Sequence, residues 1–147
     1  MLNIKGAGHA RKGEFNEAIK CFIESQNVNP NNPTSWYNIG TSLAMVNKED
    51  KALFILYCYD RAIEINPRNA EAWNNKGTIL ELMGAFENAI KCYERALEIR
   101  PGYENATRNM KLLLSRLGHK GRAKKYDRET VAPKASFGEA MNYVSWE

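Results

Sequence analysis

The fold of this chain is decided between Trp73 and Pro101, where the sequence is WNNKGTILELMGAFENAIKCYERALEIRP. The same pattern occurs 71 residues earlier at the amino terminus, so that Gly6 corresponds to Gly77. A third copy lies between these two and begins at Trp36, 37 residues before Trp73. Self-similarity at this period predicts an array of small stacked units, each made of the same supersecondary structure.

Each copy has the pattern of a helix hairpin. Apolar side chains recur at helical spacing, which predicts two amphipathic helices per copy. Gly84 is placed to cap the first helix, and the residue before Pro101 avoids the α region and therefore ends the second. Gly77 is expected where the two helices approach closely, with Ala89 and Ala96 as small partners on the second helix. Because one hairpin cannot bury its own apolar face, the copies are expected to stack.

The period and its phased residues resemble the tetratricopeptide repeat (TPR) family. The resemblance is carried in the best copy by Trp73, Gly77, Ala89, Tyr93, Ala96 and Pro101. It implies an all-α right-handed superhelix of about three and a half hairpins plus a C-terminal helix. The array should cover residues 1–131, followed by an amphipathic C-terminal segment, 132–147, that docks on the array. The expected copies are residues 1–32, 33–69, 70–103 and a degenerate capping copy, 104–131.

The middle copy contains three extra residues between Met45 and Tyr59. Counted back from its closing proline, Tyr57 takes the place that Lys20 holds in the first copy, where a charge marks a solvated face. Phe54 lies one helical turn away on the same side. Two readings remain open: the pair forms an apolar patch covered by a second copy or by the C-terminal segment, or the extra turn buries it within the chain.

Composition restricts the class of protein. Apolar residues make up 44% and charged residues 26% of the chain, as in ordinary soluble folded proteins. The longest apolar run, from Ala52 to Tyr59, is too short to span a bilayer, and no secretory signal is apparent, so a cytoplasmic protein without membrane contact is expected. The whole positive excess lies in residues 104–147, because residues 1–103 hold 12 basic and 12 acidic side chains.

The sequence gives no indication of catalysis. The three cysteines each lie nine residues before a repeat proline, which favours repeat-phased packing over disulfides or metal binding. Two distant histidines make a triad or metal site improbable, and no phosphate-loop or nucleophile-elbow motif occurs. We therefore expect a protein that is not an enzyme and needs no cofactor or metal.

A column of polar side chains is predicted along the first helices. Asparagine recurs two residues after each tryptophan position, and an amide can both donate to and accept from a peptide backbone. The column resembles the asparagine ladder of the O-linked N-acetylglucosamine transferase family, which implies a groove for an extended chain. The alternative is that asparagine is simply common at this place of the repeat. The candidate groove residues are Asn38, Thr41, Asn75, Thr78, Arg108 and Asn109.

Some TPR proteins instead bind the C-terminal carboxylate of a heat-shock chaperone with lysines, an arginine and asparagines. The matching places here hold Asn3, Ala7, Asn38, Glu71 and Asn75 or, one repeat later, Tyr37, Thr41, Asn75, Asn105 and Asn109. Neither register supplies the cations that carboxylate recognition needs. The resemblance therefore does not extend to this clamp.

A basic stretch follows the last recognisable first helix. It could contact an acidic partner or nucleic-acid phosphates, but Tyr126 is its only aromatic residue, which disfavours base stacking. The predicted function is a non-catalytic scaffold that binds a peptide or helix of another protein in its groove. The alternatives are a protein that binds nucleic acid or an acidic partner through the basic stretch, and a structural module that self-assembles into homo-oligomers. The basic stretch comprises Arg116, Lys120, Arg122, Lys124, Lys125 and Arg128.

Overall fold

The computed structural model describes residues 1–124. Among them, no helix combines the length and the apolarity that crossing a membrane requires. The predicted docking of segment 132–147 and the end of the capping copy, 125–131, lie outside the described residues. The helices are α1 (Leu2–Arg11), α2 (Phe15–Val28), α3 (Pro33–Ile65), α4 (Ala70–Leu82), α5 (Phe86–Ile99), α6 (Glu104–Arg116) and α7 (Lys120–Lys124).

Helix α3 consists of the two helices of one hairpin, joined at a sharp kink. Asn47 has φ −159° and ψ 75°, which interrupts the helical backbone. Its side chain then caps the second half, because Asn47 Oδ1 accepts a hydrogen bond from the Asp50 amide at 3.2 Å and Nδ2 donates to Asp50 Oδ2 at 2.9 Å. We call α1 and α2 hairpin 1, the two halves of α3 (33–46 and 48–65) hairpin 2, and α4 and α5 hairpin 3.

The close approach predicted at Gly77 is present, and the ring of Tyr93 lies nearest to the glycine. A Cβ atom at this position would lie 2.6 Å from Cε1 of Tyr93, and the three nearest neighbouring atoms all belong to that ring. The expected partners, Ala89 and Ala96, are fully buried. The glycine therefore makes room for an aromatic ring from the second helix.

The same contact occurs in the other hairpins. A Cβ atom at Gly6 would lie 2.6 Å from Phe22 Cε1, and one at Gly40 would lie 3.0 Å from Tyr59 Cε1. The glycine and the ring are 16 residues apart in hairpin 1 and 19 apart in hairpin 2. The three-residue insertion therefore lies between two residues that still meet, and the hairpin absorbs it within its own turn and second helix.

The turns inside hairpins 1 and 3 and between α6 and α7 use left-handed glycines. Gly13, Gly84 and Gly118 have φ of 78°, 79° and 79°. Around Gly84, the Gly84 amide donates to Glu81 O at 3.0 Å and the Ala85 amide donates to Leu80 O at 2.9 Å, which is the Schellman pattern that ends a helix. The glycine caps predicted from the sequence are confirmed.

Aromatic residues of the second helices join each hairpin to the next. Phe22 packs with Ile39 of hairpin 2, and Tyr59 shares a buried cluster with Ile79 of hairpin 3. Tyr93 packs in the same way with residues of α6, among them Leu114. The core is therefore a continuous layer between hairpins, as expected for a stacked array.

Candidate functional site

The predicted asparagines of α4 and α6 bond across the boundaries between hairpins. Asn75 Nδ2 donates to the hydroxyl of Tyr37 at 3.2 Å, and Asn109 Nδ2 donates to Asn74 Oδ1 at 3.0 Å. Asn74 Nδ2 in turn lies 3.3 Å from Asn75 Oδ1. Asn75 and Asn109 thus follow one rule. Each bonds to the residue just before the corresponding asparagine of the preceding hairpin, Asn38 or Asn75.

The first step of this pattern is different. By analogy Asn38 would bond to Asn3, but Asn3 Oδ1 instead accepts from Ser35 Oγ at 3.0 Å. Asn38 is fully buried, and neither of its amide atoms has a hydrogen-bond partner among residues 1–124. The hydroxyl of Ser42, one turn further along α3, is also buried without a partner there. The boundary between hairpins 1 and 2 therefore holds unsatisfied polar groups, which cost stability when buried.

The other predicted groove residues have local partners. Thr41 is fully buried, with its hydroxyl 3.3 Å from the hydroxyl of Tyr59. Thr78 is partly exposed and its hydroxyl donates to the backbone carbonyl of Asn75 at 2.7 Å. Arg108 donates to Asn105 Oδ1 on the same helix. The structure therefore places Thr41 in the core and leaves Thr78 and Arg108 near the surface.

An open cleft of about 380 Å³ lies between α4 and α6. Two of the predicted groove residues, Thr78 and Asn109, line it. Arg116, predicted as part of the basic stretch, belongs to the same cleft. The rest of the lining was not predicted as part of a site, although Glu81 and Leu82 lie one helical turn beyond Thr78 on α4. The further lining residues are Lys48, Ile79, Glu81 and Leu82.

The charges of this cleft are partly paired. Glu81 accepts a hydrogen bond from Arg116 Nη1 and another from the Tyr93 hydroxyl at 2.9 Å. Burial and the nearby carboxylate raise the pKa of Tyr93, so its hydroxyl stays a donor. The Arg116 side chain remains 62% exposed and Leu82 is 44% exposed. The cleft thus offers a guanidinium, an amide and an apolar side chain to a ligand.

The basic stretch is described in part. Arg116 pairs with Glu81, and Arg122 Nη2 lies 3.5 Å from Glu94 Oε1. Both are surface ion pairs, which contribute little to stability. Binding of nucleic acid or an acidic partner by this stretch stays a prediction. Of the remaining members, Lys120 and Lys124 lie in α7, and Lys125 and Arg128 lie outside the described residues.

The pair on the outer side of hairpin 2 faces outward. Phe54 and Tyr57 are 46% and 49% exposed, and their rings stack with centroids 6.1 Å apart. Tyr57 also meets the ring of Trp36 edge-on at 5.5 Å. The structure therefore favours the reading of an outward apolar patch over burial of the pair within the hairpin.

The cysteines lie in the packing layer. All three are buried and free. Burial raises the pKa of Cys58 to about 12 and that of Cys92 to about 11, so both thiols are protonated and unreactive at neutral pH. Within residues 1–124 no cluster of three histidine, cysteine, aspartate or glutamate side chains could hold a metal ion.

Comparison with known proteins agrees with this geometry. Residues 70–103, which form α4, α5, the turn between them and the loop that follows, match the tetratricopeptide repeat family. The chain therefore contains a tetratricopeptide repeat (TPR). Residues 55–83 also match the protein prenyltransferase alpha subunit repeat. Among curated proteins, none matches the sequence.

Solved structures share the fold of most of this chain. A crystal structure of MamA superposes with a TM-score of 0.80 at 24% identity, over 87% of this chain and 73% of MamA. The first TPR of Spaghetti (RPAP3) bound to the HSP90 peptide SRMEEVD gives 0.74 at 25% identity, over 80% and 90% of the two chains. The first TPR domain of human RPAP3 gives 0.73 at 25% identity, over 82% and 93%. The all-α right-handed superhelix predicted from the sequence is confirmed.

Proposed function

We propose that this TPR protein is a non-catalytic scaffold that binds a peptide or short helix of another protein in the cleft between α4 and α6. The observation that carries the proposal is the position of Thr78 and Asn109, because sequence periodicity selected both and both line one open cleft. The Thr78 hydroxyl donates to the Asn75 carbonyl and Glu81 is held by Arg116 and Tyr93, so neither is arranged as a nucleophile beside a base.

The lining residues suit recognition of a peptide. The Asn109 amide is partly exposed and can exchange its bond to Asn74 for one to a ligand backbone. Arg116 uses one nitrogen for Glu81 and keeps further donors for a ligand carbonyl or carboxylate. Leu82 supplies an apolar contact beside these polar groups, the mixture that fixes a peptide and excludes water.

The solved relatives support the class of partner. A TPR of RPAP3 has been solved with a bound HSP90 peptide, which supports a peptide ligand for a TPR array of this size. The ligand chemistry should differ here, because Glu71 occupies one of the places where a carboxylate clamp needs a cation. Its carboxylate already pairs with Arg100 at 2.5 Å. We therefore expect the ligand to be an internal segment of a partner protein.

A phage-displayed library of random peptides, selected on the full chain, tests the proposal. Selected peptides are expected to lose about tenfold in affinity on Asn109→Ala or Arg116→Ala, since each removes one hydrogen bond worth about 1 kcal/mol or more. Lys91→Ala on the exposed side of α5 is the matched control and should leave binding unchanged. Peptides that bind the cleft variants and the wild type equally would refute this site.

A further inference from the structure

The outer side of hairpin 2 differs from the outer sides of its neighbours. Leu53 is 74% exposed and adjoins the stacked rings of Phe54 and Tyr57. Large apolar side chains gathered on an exposed helix face indicate a contact surface. The corresponding places are polar in the other hairpins: Asn16, Glu17 and Lys20 in hairpin 1, and Glu87, Asn88 and Lys91 in hairpin 3.

Charged residues flank the two rings along one line of the helix. Asp50, Phe54, Tyr57 and Arg61 follow each other at spacings of four, three and four residues, which places them on a single face. Asp50 and Phe54 are exposed, and the Arg61 side chain is 33% exposed. We call these four residues the outer stripe. It begins with an acid, ends with a base, and has two aromatic rings at its centre.

This order is self-complementary under a two-fold rotation. If two outer stripes cross antiparallel with the axis between Phe54 and Tyr57, each Phe54 meets Tyr57 of the second copy. Asp50 then meets Arg61 of the second copy, and the same pair forms again on the other side. We propose that a second copy of this chain covers the outer stripe in this antiparallel arrangement, which makes the protein a two-fold dimer.

The present partners of the charges permit this exchange. Asp50 Oδ2 accepts from the side chain of Asn47, and Arg61 pairs with Glu64 one turn along the helix. Both contacts lie on the surface, and exposed pairs of this kind contribute little. Either charge can therefore take on a second partner, since a carboxylate accepts several hydrogen bonds and a guanidinium donates up to five.

The charges also distinguish a second copy from the chain's own C-terminal segment. That segment, 132–147, carries Lys134, Glu139 and Glu147. Its one cation lies five and thirteen residues from its acids, and neither spacing matches the eleven residues between Asp50 and Arg61. A second outer stripe matches both ends at once. The contact is limited to one helix pair, well below the roughly 800 Å² per partner of a standard interface, so we expect a dissociation constant of about 10–100 µM.

Sedimentation equilibrium of the full chain tests the dimer. The mass should rise from 16.7 kDa toward twice that value as concentration passes through the expected range. Phe54→Glu with Tyr57→Lys should keep the chain monomeric, and it copies the Glu17–Lys20 ion pair that hairpin 1 holds at the same places with a distance of 2.7 Å. Val28→Lys, which changes an apolar residue that is 78% exposed at the end of α2, is the matched control and should leave the mass unchanged.

A charge exchange tests the antiparallel arrangement itself. Asp50→Arg and Arg61→Asp should each weaken the dimer at least tenfold, because each places like charges opposite one another. The double variant should restore it, with circular dichroism confirming that all variants are folded. A monomer at all concentrations, a dimer that survives Phe54→Glu with Tyr57→Lys, or no restoration in the double variant overturns the proposal. So does a monomer in which the aromatic substitutions expose residues 132–147 to protease, because the C-terminal segment would then cover the stripe. Peptide binding in the cleft is unaffected by any of these results.

Discussion

The side chains of Tyr37 and Asn75 are joined by a hydrogen bond of 3.2 Å across the boundary between hairpins 2 and 3. Both residues are buried, with 5% and 8% of their surface exposed. Burial raises the pKa of Tyr37 well above its ordinary value, so the hydroxyl remains protonated and can accept from the amide. An asparagine that would be free for a ligand in an open groove is thus held by the neighbouring hairpin.

A double-mutant cycle should show this bond in the stability of the array. Tyr37→Phe and Asn75→Ala should each lower the free energy of unfolding by about 1–2 kcal/mol, because each leaves a buried partner without its bond. The two losses should be coupled by about 0.5–1.5 kcal/mol in urea unfolding. Strictly additive losses would mean that the bond contributes nothing. Asn109→Ala, at a partly exposed position, should cost less.

Two glycines of α1 form a matched pair for the contact between glycine and ring. Gly6→Ala places a methyl group 2.6 Å from Phe22, so the ring must move, and we expect a loss of about 1–3 kcal/mol in the free energy of unfolding. Gly8→Ala meets nothing within 4 Å and should stabilise the helix by about 0.5–1 kcal/mol. Thermal unfolding of both variants measures the difference. Equal effects would show that the ring yields without cost.

Much of the fold follows from short-range chemistry, which is why it could be predicted. A helix that must turn back within three residues requires a left-handed residue, and Gly84 at that place was sufficient to predict the cap. The periodicity also placed the asparagines correctly on one set of helices. It did not predict that Asn75 would turn toward Tyr37, because that depends on how far neighbouring hairpins are displaced along each other. Side-chain packing sets that displacement.

The residues of the cleft also divide into those that the sequence predicts and those that it does not. Thr78 and Asn109 were selected because their places repeat from copy to copy. Lys48 was missed because it follows the kink at Asn47, where the insertion interrupts the period. Spacing likewise placed the close contact at Gly77, but it does not tell which side chain of the facing helix lies nearest to the glycine.

The HSP90 peptide SRMEEVD should not bind this chain appreciably. The places that would have to hold cations for its acidic end carry neutral side chains or Glu71, and an acidic residue there repels a carboxylate. Fluorescence anisotropy of a labelled peptide measures the binding, with the first TPR of RPAP3 as the positive control. Micromolar affinity that Asn75→Ala abolishes would contradict the expectation.

The buried thiol of Cys58 makes the free energy of unfolding fall with rising pH in the alkaline range. Its pKa is raised from 9.0 to about 12 by burial, so the folded state favours the neutral thiol. This contribution is complete below pH 9 and is lost as the pH rises toward 12, at up to about 1.4 kcal/mol per pH unit. The stability difference between wild type and Cys58→Ala should therefore narrow between pH 9 and pH 11, in urea unfolding with reductant present. A constant difference would contradict it.

Within residues 1–124, the side chains of Asn75 and Asn109 are hydrogen-bonded at two boundaries of the array and that of Asn38 is unpaired at a third, so the boundaries differ in stability. Side-chain hydrogen bonds cross each of these boundaries, including the one from Ser35 to Asn3 between hairpins 1 and 2. That boundary also buries the Asn38 amide, which has no partner within the described residues. In a stack where each unit touches only its neighbours, a weak junction isolates the units on either side. Because a buried amide without a partner costs stability, we expect hairpin 1 to detach before the hairpins that form the cleft.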